Sequence, residues 1–128
     1  MLRYIIIGAG GFLGAVARYA VSGLLTARLG SRFPYGTMFV NITGSFFLAF
    51  FVTLFLERLL IGPNWRLFWA IGFLGAYTTF STFAWETDAL LRDGAWSTAL
   101  VNVLGNMLAA IIAVRLGTAL VNSSWMVR

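Results

Sequence analysis

Twelve residues carry most of the chemistry in this sequence: Gly72-Phe-Leu-Gly75-Ala-Tyr-Thr78-Thr-Phe80-Ser81-Thr-Phe83. They place two glycines and the hydroxyls of Thr78, Thr79, Ser81 and Thr82 inside a stretch long enough to cross a bilayer. A membrane span gains nothing from clustered hydroxyls at mid-depth unless a polar solute is held or passed there. Backbone that leaves the helix within a membrane is tolerated where protein or a water-filled cavity covers it. Such breaks also expose carbonyls and amides to ions. Transport of a small solute is the chemistry they imply.

Other polar residues bear on the same region. Thr37, Asn41 and Gly44-Ser45 share one face of a helix by the 3.6-residue period. Asn41 reads either as an interhelical hydrogen bond between small-residue faces or as a pore-lining amide that donates to an anion. Asn102 and Asn106 stand i,i+4 on one face and extend a polar track. Phe80 and Phe83 are packing residues, or ring edges that line a narrow anion path, since an aromatic edge is positive. Arg18 lies deep in the first apolar stretch, where an arginine is costly unless it snorkels or is paired. It either reaches the membrane surface or sits in a water-filled vestibule near Thr78 to Thr82, raising the positive potential there. Glu86 and Asp88 follow the break as an acidic rim or as ordinary interface charges.

The elements that must position these residues are membrane helices. The 128 residues are 60% hydrophobic and 10% charged, with mean hydropathy +0.88. A soluble domain carries about 25% charge, so these charges could not cover a globule of this size. The length leaves room for four spans of about 20 residues and no extramembrane catalytic domain. We expect one transmembrane domain over 1–128, with spans near 4–27, 35–60, 65–91 and 95–116. Gly30 to Pro34, Gly62-Pro63-Asn64 and Asp93-Gly94 form the turns, and Gly117 closes the last helix. The N-terminal Met-Leu-Arg-Tyr-Ile-Ile-Ile is expected to be a retained first span, because no convincing cleavage pattern follows it.

Nine basic residues against four acidic ones would hint at nucleic acid in a soluble protein. Here the arginines are scattered at span ends, no basic face forms, and nucleic-acid binding is not expected. Gly8-Ala-Gly-Gly lacks a preceding strand and a following Lys-Ser/Thr, which excludes a nucleotide loop. With no cysteine and no histidine, disulfide, thiolate and imidazole chemistry are excluded. Arg3, Arg58, Arg66, Arg115 and Arg128 fall on one side of the membrane, and Arg28, Arg32 and Arg92 on the other. Orientation follows such counts, and a bias this small is compatible with insertion both ways.

The residues then carry a resemblance. Gly14-Ala-Val-Ala-Arg18-Tyr19, Gly36-Thr-Met-Phe-Val-Asn41-Ile-Thr-Gly44 and the Gly72 to Phe83 run resemble the Fluc/CrcB family of small bacterial fluoride channels, over essentially the whole chain. That resemblance implies an antiparallel, dual-topology homodimer in the bacterial inner membrane, with two fluoride pathways and a structural sodium ion at its centre. It further implies that the carbonyls of Gly75 and Thr78 hold the sodium and that Phe80 and Phe83 are the pore aromatics. Asn41 would be the pore amide, Ser81 and Thr82 polar supports, Arg18 the first-span arginine, and Glu86 a residue near a pore mouth. Two departures stand out. Ala76 replaces a second glycine, and the fourth span carries Asn102 and Asn106, then apolar Ala110 and Val114, where relatives carry hydroxyls.

Passive fluoride export is the expected function, needing neither nucleotide nor coupled ion. The alternative is a small dual-topology exporter of drugs or organic cations. That chemistry calls for a membrane-embedded carboxylate, whereas Glu57, Glu86 and Asp88 all lie toward span ends. An assembly module would explain the small-residue faces but not the hydroxyls. An enzyme would lack a histidine, cysteine or central acid as its base.

Overall fold

The computed structural model describes residues 1–58 and 62–126, with side chains for 1–55 and 62–123. All of the regular structure described is helical. The first helix, Leu2–Leu29, ends at Gly30, whose φ of 86° suits a residue without a Cβ and whose N–H donates to the Thr26 carbonyl at 2.9 Å. The second, Tyr35–Val52, follows Pro34 and continues as a π-helical segment, Thr53–Arg58. The third crossing is made in two halves. Its first half begins at Pro63–Trp65, widens into a π-helix over Arg66–Leu74 and closes with Gly75–Tyr77. Its second half is Phe80–Arg92. Gly94, at φ 74°, then turns the chain into the fourth helix, Trp96–Met126.

These four segments have mean hydropathies of 1.3 to 1.9 and lengths of 21 to 30 residues. At 1.5 Å per residue the shortest spans about 32 Å, enough for a hydrocarbon core of about 30 Å. The fold is therefore an all-α membrane fold with its third crossing broken.

The second span, expected to reach residue 60, is helical to Arg58, and 59–61 lie outside the described residues, as do the side chains of Glu57, Arg58, Trp125 and Arg128. The fourth helix does not stop at Leu116, and Gly117 is not its cap. A Cβ at Gly117 would lie 2.5 Å from the Phe46 carbonyl and 3.1 Å from the Phe50 nitrogen. That glycine serves the contact with the second helix rather than a turn.

Lipid tails are as apolar as leucine, so close backbone packing and hydrogen bonds hold membrane helices together. Gly10 and Gly14 of the first helix receive the π-helical segment: a Cβ at Gly14 would run into the Phe73 carbonyl, and one at Gly72 would stand 2.7 Å from the Ile7 carbonyl. Alanine at either position would force the two backbones apart. The three-residue glycine spacing is not uniformly a contact motif, because Gly8 has nothing within 4 Å. Val40, Leu74 and Tyr77 form the buried centre, with Ala17, Val21, Phe51 and Phe73 packed around it. Trp65, Trp69, Phe73 and Tyr77 follow one another along the first half of the third crossing, with successive ring centroids 6.4, 5.4 and 6.0 Å apart. This face anchors the first half of the third crossing and so fixes where the break falls.

Candidate functional site

The helix stops because Thr78 and Thr79 are both extended, at φ −82°, ψ 157° and φ −152°, ψ 120°. β-branched residues adopt that conformation readily. Thr79 then caps the second half: its Oγ1 accepts from the Thr82 N–H at 3.2 Å. Asn41, reaching from the second helix, treats Thr79 as a second strand would. Its Oδ1 accepts from the Thr79 N–H at 2.8 Å, and its Nδ2 donates to the Thr79 carbonyl at 3.1 Å. One primary amide thereby bonds both main-chain groups of Thr79 and pairs the N–H that the break takes out of the helix.

Two carbonyls are released by the same arrangement. In an unbroken helix the Thr79 N–H would bond Gly75 O, and the Thr82 N–H would bond Thr78 O. Both donors are diverted, one to Asn41 and the other to the Thr79 hydroxyl. Gly75 is exposed and Thr78 half-buried, so these oxygens are neutral ligands of the kind that suit a monovalent cation.

Asn41 is held in turn from the fourth helix. Its Nδ2 also donates to Asn106 Oδ1 at 3.0 Å, and Asn106 Nδ2 donates to the side-chain and main-chain oxygens of Asn102 at 2.9 and 3.0 Å. Asn102 Nδ2 donates to Thr87 Oγ1 at 2.9 Å, and Thr87 Oγ1 donates to the Phe83 carbonyl at 2.8 Å. Nothing in the sequence around Thr87 marks it as part of this chain of bonds. Its i,i+4 relation to Phe83 was available, but its partner fifteen residues away was not.

Two open clefts flank the break. The larger, about 850 Å³, is lined by Arg18, Ser22, Thr37, Thr79, Thr82 and Glu86 among others. In it the Thr37 hydroxyl donates to Glu86 Oε1 at 2.8 Å, while Glu86 Oε2 is buried without a hydrogen-bond partner. Among the described residues no carboxylate lies within ion-pair distance of the Arg18 guanidinium, and the cleft it shares with Glu86 carries its positive potential. The smaller cleft, about 270 Å³, is lined by Asn41, Ser45, Thr78, Thr79, Phe80, Phe83 and Asn106, with Met107 and Ala110 on the fourth helix. Thr79 belongs to both walls.

The sequence candidates separate on this geometry. Arg18, Thr37, Thr82 and Glu86 meet in the larger cleft; Asn41, Phe80, Phe83 and Asn106 meet in the smaller. Phe80 is 78% exposed and Phe83 8%, with ring centroids 5.5 Å apart. Ser81 is exposed, with its hydroxyl 3.4 Å from Thr79 Oγ1. Asn102 is fully enclosed at 0% exposure and is on neither cleft wall. Asp88 pairs with Arg92 at 3.1 Å, both more than half exposed, and the Arg92 guanidinium lies 5.0 Å from the Trp85 ring centroid. That is an interfacial cluster apart from the break.

A broken helix between two polar clefts, enclosed by apolar helices long enough to span, defines a small multi-pass membrane protein. Residues 5–118 match the family described as CrcB-like protein, Camphor Resistance (CrcB). The chain is similar to the fluoride-specific ion channel FluC of Solibacter usitatus, with 46% identity over 119 residues that cover 93% of this chain and 98% of the relative. It is likewise similar to the proteins of that name from Opitutus terrae, 46% identical over 91% of this chain and 90% of the relative, and from Sulfurihydrogenibium, 47% identical over 83% and 86%. The chain belongs to the CrcB family and is a multi-pass protein of the bacterial membrane.

Proposed function

We propose that this protein is a passive, fluoride-selective ion channel that lets cytoplasmic fluoride leave down its electrochemical gradient. The observation that carries this reading is the position of Thr79 on the walls of both clefts, which makes the break the meeting point of two polar cavities in a membrane-spanning bundle. Membership of a family whose similar members are named fluoride-specific ion channels supports the choice of ion. The unpaired Arg18 favours an anion in the larger cleft, and the Phe80 and Phe83 rings offer positive edges in the smaller. Asn41, Ser81 and Thr82 order the backbone between them, with Thr37 and Glu86 at the mouth. Conduction needs binding strong enough to replace hydration yet weak enough to release the ion, and neutral hydroxyls with ring edges meet that requirement. Purified protein in liposomes should pass fluoride far faster than chloride. Equal fluxes, or none, would overturn the reading, and proton-driven efflux of an organic cation in their place would favour the exporter.

The functional unit in this reading is an antiparallel homodimer with two pores and a central sodium ion. An aromatic ring at 78% exposure beside a polar cleft is best accommodated by a second copy. The near balance of arginines across the membrane permits both orientations. The donor set fits sodium: Gly75 O and Thr78 O have lost their helical amides, and no carboxylate stands in the sequence between Glu57 and Glu86, which disfavours the divalent hard cations. Anomalous scattering with heavier monovalent cations should find an ion between the two breaks of oppositely oriented chains. A parallel pair would refute the assembly, and a water in that position would refute the ion.

A further inference from the structure

The smaller cleft has five residues with polar side chains, and their donors can be counted. Both Asn41 N–H groups are in use, on the Thr79 carbonyl and Asn106 Oδ1. Both Asn106 N–H groups are in use, on the two oxygens of Asn102. The Thr78 hydroxyl donates to the Leu74 carbonyl at 3.0 Å, and the Thr79 hydroxyl to Thr82 Oγ1 at 3.0 Å. Ser45 alone remains. Hydroxyls in membrane helices commonly bond back to the carbonyl four residues earlier, as Thr43, Thr78 and Thr87 do here. Ser45 does not, and among the described residues its Oγ has no hydrogen-bond partner.

From this we infer that Ser45 is the side chain that binds fluoride in the cleft between Asn41 and the Phe80–Phe83 pair, donating its O–H to the ion. The proposal deepens the fluoride-channel reading and rests on it. Ser45 is half-buried on the cleft wall, its O–H is free to donate into the cleft, and a small, hard anion is the acceptor that would gain most from it, because hydrogen bonds to a charged acceptor are about twice as strong as neutral ones. Leu48, Met107 and Ala110 complete the wall and offer no competing donor. One hydroxyl and two ring edges replace part of a hydration shell, so the ion is held without being trapped. Chloride, larger and a weaker acceptor, gains less from the same O–H. Ser45 therefore acts in selectivity as well as in rate. Asn41 in this account is a positioning residue, because its donors are spent on the break and on Asn106.

The test is fluoride and chloride efflux from liposomes, with the half-saturating fluoride concentration measured for the wild type, Ser45→Ala, Ser45→Thr and Ser45→Cys. Ser45→Ala should lower fluoride efflux by about tenfold or more, the scale of one lost hydrogen bond to a charge, raise half-saturation and leave chloride leak unchanged. Ser45→Thr keeps a hydroxyl and should recover most of the flux. Ser45→Cys, similar in size with a weak donor, should fall near alanine, and it carries the comparison if the alanine variant does not elute as the wild type does. Alanine and cysteine variants with wild-type flux and half-saturation, beside a wild type that conducts, overturn this proposal and leave the channel reading intact. A wild type that passes no fluoride overturns both.

Discussion

Asn41→Asp is expected to reduce fluoride flux by about a hundredfold or more in protein that still folds. The amide donates to the Thr79 carbonyl at 3.1 Å and to Asn106 Oδ1 at 3.0 Å. A carboxylate there faces two acceptor oxygens with nothing to give them. Each buried polar group left unsatisfied costs about 1–3 kcal/mol, and tenfold corresponds to about 1.4 kcal/mol, so two such losses reach the stated scale. A negative charge beside the route would also repel the anion. The two causes separate in Asn41→Ala, which removes the brace without adding charge. If the brace dominates, alanine is nearly as damaging as aspartate; if repulsion dominates, alanine conducts far better. Flux and elution profile of both variants are the measurements, and near-normal flux in Asn41→Asp would remove Asn41 from the site altogether.

The second large effect is expected at Phe80. At 78% exposure its ring contributes little to the packing of its own chain, so Phe80→Ile should leave the fold of the single chain nearly unaffected. Fluoride flux should nonetheless fall by at least about tenfold, because isoleucine keeps apolar bulk but has no positive edge to present. Phe83 is different. At 8% exposure it is a packed residue as well as a cleft wall, and Phe83→Ile should cost about 1–2 kcal/mol of stability, the usual scale for a shape change in a packed site. Its loss of flux must therefore be read per folded protein. Normal flux in both variants would make the pair packing residues and nothing more.

Much of the architecture was legible because membranes simplify it. Four apolar runs separated by glycine and proline turns can do little but span, and the glycines and clustered hydroxyls from Gly72 to Phe83 read as a break; that Thr79 caps the second half did not show until the helices were in place. What stayed hidden was decided by tertiary contact. Gly117 looked like a helix end because a capping glycine and a contact glycine are written identically, and the Phe46 carbonyl that distinguishes them lies in another helix. Asn41 was legible as a buried amide, but its pairing with Thr79, 38 residues away, depends on helix packing that no local period encodes. Asn102 and Asn106 share a face as their spacing requires; that Asn102 is enclosed while Asn106 reaches the cleft depends on Thr87 opposite. Ser45 and Thr43 differ by one methyl and two positions, and whether a hydroxyl bonds back to its own helix is a matter of rotamer. The π-helical turns of Thr53–Arg58 and Arg66–Leu74 have no marker in the residue pattern.

The hydrogen bonds from Thr79 to Phe83 all run in one direction. Thr79 N–H gives to Asn41, Asn41 to Asn106, Asn106 to Asn102, Asn102 to Thr87, and Thr87 to the Phe83 carbonyl. Both ends are main-chain groups whose polarity is fixed, one able only to donate and the other only to accept. No amide between them can flip by itself without setting donor against donor or acceptor against acceptor. The side chains thus form a single-sense dipole wire, with each bond polarising the next, its negative end (Asn41 Oδ1) at the helix break and its positive end (the Thr87 O–H) at the Phe83 carbonyl. An uncharged chain of amides in this way locks the break into one hydrogen-bonding sense across two helices, without the expense of burying a charge.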